Sequence, residues 1–263
     1  MIHKTAIIDD SAVIAKSASI GPNVIIGEGV KIGENVKIIS NAFLEHCEIG
    51  DGTVISPFAS IGTPPQDLGY KGEPTKAIIG KDCLIKEYVT VNRASGEGNS
   101  TVIGNHCMLM ASAHVAHNCK VADEVIMANL ATIGGHVVVE YGAFLGGMSV
   151  FHQNIRFGEM AIVSGFSAAR MDLLPYTKCD GRPAALRGIN AIGLKRKGVG
   201  IEDRNAIKNA LKIICSGEYL LRQTADIIEK EYPENKYVKH MADFIRTSKR
   251  GLWINQKGAV EDE

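Results

Sequence analysis

Residues 20–38 read Ile20-Gly21-Pro22-Asn23-Val24-Ile25-Ile26-Gly27-Glu28-Gly29-Val30-Lys31-Ile32-Gly33-Glu34-Asn35-Val36-Lys37-Ile38. Isoleucine recurs at every sixth position, with glycine directly after it at 21, 27 and 33. This period is neither the 3.6 of a helix nor the 2 of a long half-buried strand. Outward from this stretch, Ile2, Ile8 and Ile14 precede it in phase and Leu44 follows. A step of five leads to Ile49, Ile55 and Ile61; the phase returns at Ile79, Ile85 and Val91. It resumes at Ile103 and runs through Leu109, Val115, Val121, Met127, Ile133, Val139, Leu145, Phe151 and Phe157 to Val163. An ordinary β-sandwich does not hold one six-residue phase for so long. Each hexad is therefore read as one short flat strand and a corner, with the aliphatic anchor inward. Three hexads close a triangular turn, and turns stack at roughly 4.8 Å, each touching only its neighbours.

Two stretches interrupt the phase without shifting it. Residues 63–77 carry Pro64, Pro65, Gly69, Gly72 and Pro74, and residues 92–101 carry Gly96 and Gly98. Both read as loops ejected from the solenoid, and long ejected loops are more often functional than decorative. Repetition stops near Ala169, and Pro175 and Pro183 mark a connector. Helical spacing follows at Ile207, Ala210, Leu211 and Ile214, with Gly217 as a stop. Leu221, Ala225 and Ile228 predict a second helix ended by Tyr232-Pro233; Val238, Met241 and Ile245 predict a third ended near Gly251. The expected organisation is a solenoid over 1–190 and a small helical domain over 191–263, frayed after Asn255.

The composition fits a folded protein. The chain has 263 residues, 45% hydrophobic and 22% charged, with 29 Lys+Arg against 29 Asp+Glu. Zero net charge argues against a nucleic-acid footprint over the whole chain. No apolar run reaches the ~18 residues of a membrane span, and the alternating N-terminal residues do not form a signal-peptide core. The six cysteines are scattered without a C-x-x-C pair, which points to a reduced, cytoplasmic protein rather than a disulfide or zinc scaffold.

Residues 18 apart share a column along a three-sided coil. His117, Gly135 and Gln153 form one column; Asn118, His136 and Asn154 another; Ala116, Gly134 and His152 a third. His114 lies on the rung of His117. Histidines thus gather beside paired glycines, which leave room for a ligand. A metal site and a general base are both readings of such a patch; a base uses the side chain best suited to proton transfer near neutrality. A further column holds Asn129, Gly147 and Gly165, where bare backbone is available.

The hexads resemble those of the hexapeptide-repeat acyltransferases. Within them the chain closely resembles the bacterial UDP-N-acetylglucosamine O-acyltransferases of lipid A synthesis. The resemblance rests on Ile61-Gly62-Thr63-Pro64-Pro65-Gln66-Asp67-Leu68, Gly72-Glu73-Pro74-Thr75, His114-Val115-Ala116-His117, Gly135-His136, Gly146-Gly147-Met148, His152-Gln153 and Gly193-Leu194-Lys195-Arg196. It implies an all-β left-handed parallel β-helix followed by a helical C-terminal domain, assembled as a homotrimer with sites between solenoids. It also implies acyl transfer from acyl carrier protein to the sugar 3-hydroxyl, with no cofactor and no metal. His117 would be the general base and the Gly147 N–H the oxyanion donor. Asp67, His114 and His136 would hold the sugar; Gln66, His152, Gln153, Asn190 and Arg196 the nucleotide; and Gly165 would set acyl-chain length.

Each of these has a bland reading beside it: Gly165 as a packing glycine, Asp67 as a turn cap, Arg196 as a solvated charge. Three positions depart from the family pattern. Asn118 stands where an aspartate commonly follows the base, Gly69 where a lysine is frequent, and Ile192 where some relatives carry a carboxylate. Residues 193–250 hold 13 Lys and Arg against 8 Asp and Glu, which suits an acidic carrier protein. Alternatives are a 3-amino acceptor, or a non-catalytic β-helix scaffold. The N-acyltransferase later in the pathway carries an N-terminal domain, for which hexads beginning at Ile2 leave no room.

Overall fold

The structure is a computed structural model that describes residues 1–252 and Ile254. Position 253 and the segment 255–263, where fraying was expected, lie outside the described residues. The hexads form very short strands, such as Ile25–Ile26 and Lys31–Ile32, whose second residue is buried. Every third strand pairs in parallel. Ile7–Ile8 pairs with Ile25–Ile26, which pairs with Phe43–Leu44. The chain thereby winds through three sheets in turn. The first has nine strands and ends at Ala168–Ala169; the second has eight and ends at Arg156–Phe157; the third has ten.

The core is one continuous column. Every anchor from Ile20 to Val163 is buried, whereas Ile8 and Ile14 are partly buried and Ile2 is exposed. A second inward position lies two residues before each anchor and accepts only modest volume: Ala18, Val24, Val30, Val36 and Ala42 occupy it. Cys47, Cys83, Cys107 and Cys119 take the same place, so these cysteines follow the hexad rather than being scattered. The thiols of Cys83, Cys107 and Cys119 donate to the carbonyls of Gly104, Ala122 and Gly134, each at 3.1 Å. Corners turn by placing the third residue after an anchor at positive φ, as in Asn23 (56°), Leu130 (62°) and Phe166 (56°). For a non-glycine residue this costs roughly 1–2 kcal/mol.

The ejected loops span 64–75 and 93–99 and leave the same edge, between the first and second sheets. Arg93 knits them together. Its guanidinium donates to Glu45 Oε1 at 3.0 Å, to the Gly62 carbonyl at 2.8 Å and to the Tyr70 hydroxyl at 3.1 Å.

The expected connector contains an unforeseen antiparallel hairpin. Thr177–Asp180 continues the third sheet in parallel on Ile162–Val163, and Ala185–Ile189 turns back along it. Four helices follow among the described residues: α1 (Ala191–Arg196), α2 (Ile201–Cys215), α3 (Leu221–Glu231) and α4 (Lys236–Thr247). The last three carry the predicted apolar faces; α1 is short, contains Gly193, and had no periodic signal. A polar cluster joins α4 to the coil. His240 contacts Tyr176 Oη at 2.7 Å and Glu140 Oε2 at 3.2 Å, while Arg156 binds Glu140 and lies over the Phe244 ring at 4.0 Å.

Candidate active site

The edge between the first and second sheets carries the histidines. Val115 is buried on the first sheet and His117, two residues on, reaches the corner. Its ring lies against Gly135, one coil on. A Cβ at position 135 would stand 2.6 Å from His117 Nε2 and 2.7 Å from Cε1. Only glycine leaves that space for the imidazole. On the other side, His117 Nδ1 is 2.9 Å from Asn118 Oδ1. A carboxamide oxygen only accepts, so Nδ1 carries the proton and Nε2 keeps a free lone pair.

His136 meets the His117 ring edge-on at 5.2 Å, and its backbone N–H donates to the His117 carbonyl at 3.0 Å. Burial, then the charge of His117, holds the His136 imidazole below its usual range, against the pull of Asp67. His114 hydrogen-bonds Thr90 Oγ1 at 2.7 Å, and its burial likewise favours the neutral ring. Asp67 hangs over this patch from the first loop. It accepts from the Gly69 N–H at 2.9 Å and from Ser95 Oγ at 2.8 Å, contacts that hold its carboxyl below the ordinary range. Gln66 beside it is exposed. Farther along the same edge, His152 Nδ1 lies 3.2 Å from Arg250 Nη2, and Gln153 is exposed. Val150, Phe151, Ala168 and Ala169 line a cleft of about 510 Å³ there, with Arg170 and Arg182 at its sides.

The other expected residues lie on different edges. Gly147 falls between Phe144–Leu145 of the third sheet and Val150–Phe151 of the first, as does the Gly165 corner one coil on. Within one chain the Gly147 N–H therefore does not meet His117; the two can serve one carbonyl only across neighbouring copies. The glycine beside His117 is Gly135, whose N–H has no hydrogen-bond partner among the described residues. The Gly147 edge carries an exposed apolar ladder, with Phe58 stacked on Tyr88 at 5.0 Å, then Leu130, Met148 and Phe166. Asn190 and Arg196 lie along the third edge, between the second and third sheets. Asn190 caps α1 by accepting from the Gly193 N–H at 3.0 Å and donates to the Met160 carbonyl at 2.8 Å. Arg196 and Ile192 are exposed on α1, and the adjoining Lys197 pairs with Glu124.

Two contributors were not read from the sequence as working parts: Gly135 as a donor, and Ser95. The column rule points to the first, since 117 and 135 differ by one coil. Nothing in the pattern pointed to Ser95, because its loop leaves the repeat.

Comparison with known proteins agrees with this picture. Residues 172–253 match the family described as UDP N-acetylglucosamine O-acyltransferase, domain 2. Residues 100–135 match the bacterial transferase hexapeptide family, and residues 2–64 the GMPPB C-terminal domain. The acyl-[acyl-carrier-protein]–UDP-N-acetylglucosamine O-acyltransferase of Thermodesulfovibrio yellowstonii is 46% identical over 253 residues, covering 95% of this chain and 98% of that one. The solved LpxA of Acinetobacter baumannii superposes with a TM-score of 0.93 at 36% identity, covering 97% of this chain and 99% of that one. The Bacteroides fragilis LpxA, a UDP-N-acetylglucosamine acyltransferase, gives 0.93 at 37%, covering 96% and 99%. With the repeat, the helical segment and near-complete coverage all in agreement, this chain belongs to the UDP-N-acetylglucosamine O-acyltransferase family.

Proposed function

We propose that the chain transfers an acyl group from acyl carrier protein to the 3-hydroxyl of UDP-N-acetylglucosamine, the first step of lipid A synthesis. The observation that carries this is the His117 imidazole, tethered at Nδ1 by Asn118 and laid on Gly135 so that Nε2 is open. The sugar oxygen attacks the thioester carbonyl carbon while Nε2 takes its proton. The C–S bond then breaks, and the imidazolium returns the proton to the departing thiolate. A sugar hydroxyl is far too weak an acid to ionise unaided near neutrality; a positioned base contributes about 10²–10⁴-fold. Negative charge gathers on the carbonyl oxygen, where one donor is worth about 2.7–4 kcal/mol. The Gly135 N–H is the donor one chain can offer beside the base; Gly147 could contribute only from another copy. Asp67, His114 and His136 surround the sugar in this reading, and Gln66, His152, Gln153, Asn190 and Arg196 the nucleotide.

The division of these residues among three edges supports a homotrimer in which neighbouring copies complete each site. The apolar ladder beside Gly147 and Gly165 suits an acyl chain or a neighbouring copy. The basic excess over 193–250 suits acyl carrier protein, though Arg246 is engaged internally with Asp226 and Glu229. We read the coil, 1–190, as left-handed and the helices after residue 190 as a second domain packed on it. Buried thiols at Cys47, Cys83, Cys107, Cys119 and Cys179 accord with a reducing cytoplasm.

The test is a transfer assay with acyl carrier protein thioesters of graded length, offering UDP-N-acetylglucosamine and its 3-amino analogue separately. Turnover with the 3-hydroxyl sugar supports the reading. Turnover with the amine alone would replace the acceptor, and none with either would favour a scaffold. Gly165→Met should shift the preferred thioester to a shorter chain; an unchanged preference would make Gly165 a packing residue.

A further inference from the structure

A carboxamide has nearly the same shape at both ends, so something must decide which end of Asn118 faces the imidazole. Ser95 does so with groups that cannot exchange roles. Its backbone N–H donates to Asn118 Oδ1 at 3.0 Å, and its carbonyl accepts from Asn118 Nδ2 at 3.0 Å. Turning the amide over would set N–H against N–H and oxygen against oxygen. The Asn118 backbone N–H is itself fixed on Thr101 Oγ1 at 2.9 Å. We propose that Ser95, in the ejected loop 93–99, is a positioning residue for the base: through Asn118 it selects the His117 tautomer with Nδ1 protonated and Nε2 free.

The same residue joins the two loops. The Ser95 hydroxyl has a single proton and two acceptors, Asp67 Oδ2 at 2.8 Å and Asn118 Oδ1 at 3.2 Å. The shorter contact to the carboxylate takes it. Asp67, Ser95, Asn118 and His117 thus form one line from the first loop, through the second, to the coil. Asp67 and His136 are the charged or titratable groups that face His117. A consequence concerns position 118 itself. A carboxylate would place an oxygen 3.0 Å from the Ser95 carbonyl where an N–H now donates. The loop of this chain is fitted to an amide, and Asn118→Asp impairs the base.

This inference rests on the proposed acyl transfer for its kinetic readout but not for its spectroscopic one. The full chain is labelled with ¹⁵N-histidine, and the His117 signals are identified by their loss in His117→Gln. Wild type should show Nδ1 protonated and Nε2 bare in the neutral ring. Asn118→Ala should mix the tautomers and lower kcat on the order of 10–100-fold with KM little changed, as loss of a functional histidine's outer partner does. Asn118→Asp should also lower kcat. Ser95→Ala, which keeps the backbone clasp but cuts the tether to Asp67, should lower kcat about 2- to 10-fold, the worth of one hydrogen bond. A wild-type ring protonated at Nε2 overturns the proposal, whatever the variants do. So does Asn118→Asp with turnover at or above wild type, or Asn118→Ala with the wild-type tautomer and kcat kept. The predicted tautomer in a protein without acyl transfer would instead sink the functional reading and leave the positioning intact.

Discussion

At the scale of single residues the site depends on what is missing as much as on what is present. His117 fits because Gly135 has no Cβ. His117→Ala should retain the fold, since the corner lies outside the packed column, and lower kcat by about 10²–10⁴-fold. Rates near wild type in a steady-state transfer assay would remove the base assignment. This pairing was legible because residues one coil apart differ by 18. The same rule separates His117 from Gly147: they differ by 30, one coil of 18 and two further hexads, so they fall on different edges. Residue identity in a familiar motif suggested a donor there, whereas phase around the coil excludes it within one chain. Ser95 and the capping role of Asn190 were not legible, because both follow from where chain outside the repeat folds back.

Among elements, the hexad made strand positions and inward faces readable over most of the chain, since only one residue in six must be large and apolar. Cys47, Cys83, Cys107 and Cys119 showed where a local habit misleads: judged by spacing to one another they look random, but judged by the anchors they are in phase. The hairpin 177–189 was illegible because it turns antiparallel and leaves the six-residue beat. The loops were visible as gaps, yet what holds them was not. Arg93 supplies that, as a largely buried cation (11% side-chain exposure) paired with Glu45 and braced by Tyr70. Removing one partner of a buried pair costs about 3–5 kcal/mol. Arg93→Ala should therefore open the loops without unwinding the coil. Limited proteolysis would show it as faster cleavage within 64–75, with the coil surviving; equal cleavage of variant and wild type would mean that the loops are held by other contacts.

For the whole molecule, the junction between coil and helices has a pH dependence of definite sign. Burial alone would lower the His240 imidazole, but the Glu140 hydrogen bond and the charges of Glu140 and Glu159 outweigh it, against Arg156, and hold it above its usual value. A raised histidine stabilises most fully below its unfolded value, about 6.5, and loses that contribution as pH rises through the folded value. The melting temperature should thus fall as pH rises above about 6.5, and His240→Gln should flatten that part of the profile. A wild-type profile already flat there would show that the cluster is indifferent to the imidazole charge. The succession of coil and helices was readable from periodicity. The polar seam joining them was not, because its members come from 140, 156, 159, 176 and 240, which share no local pattern.

The apolar corner ladder bears on how the chain trades robustness for use. Leu130, Met148 and Phe166 combine positive φ with 47%, 47% and 57% exposure, each a poor choice for a soluble coil considered alone. Asparagine tolerates that backbone and water far better. Selection for durability alone would favour other side chains at these corners. Leu130→Asn should raise the melting temperature of a dilute, dissociated chain while weakening self-association or turnover. Chemical denaturation across a concentration series, run beside the transfer assay, would separate the two; a gain in stability with no loss of either would show the ladder to be idle.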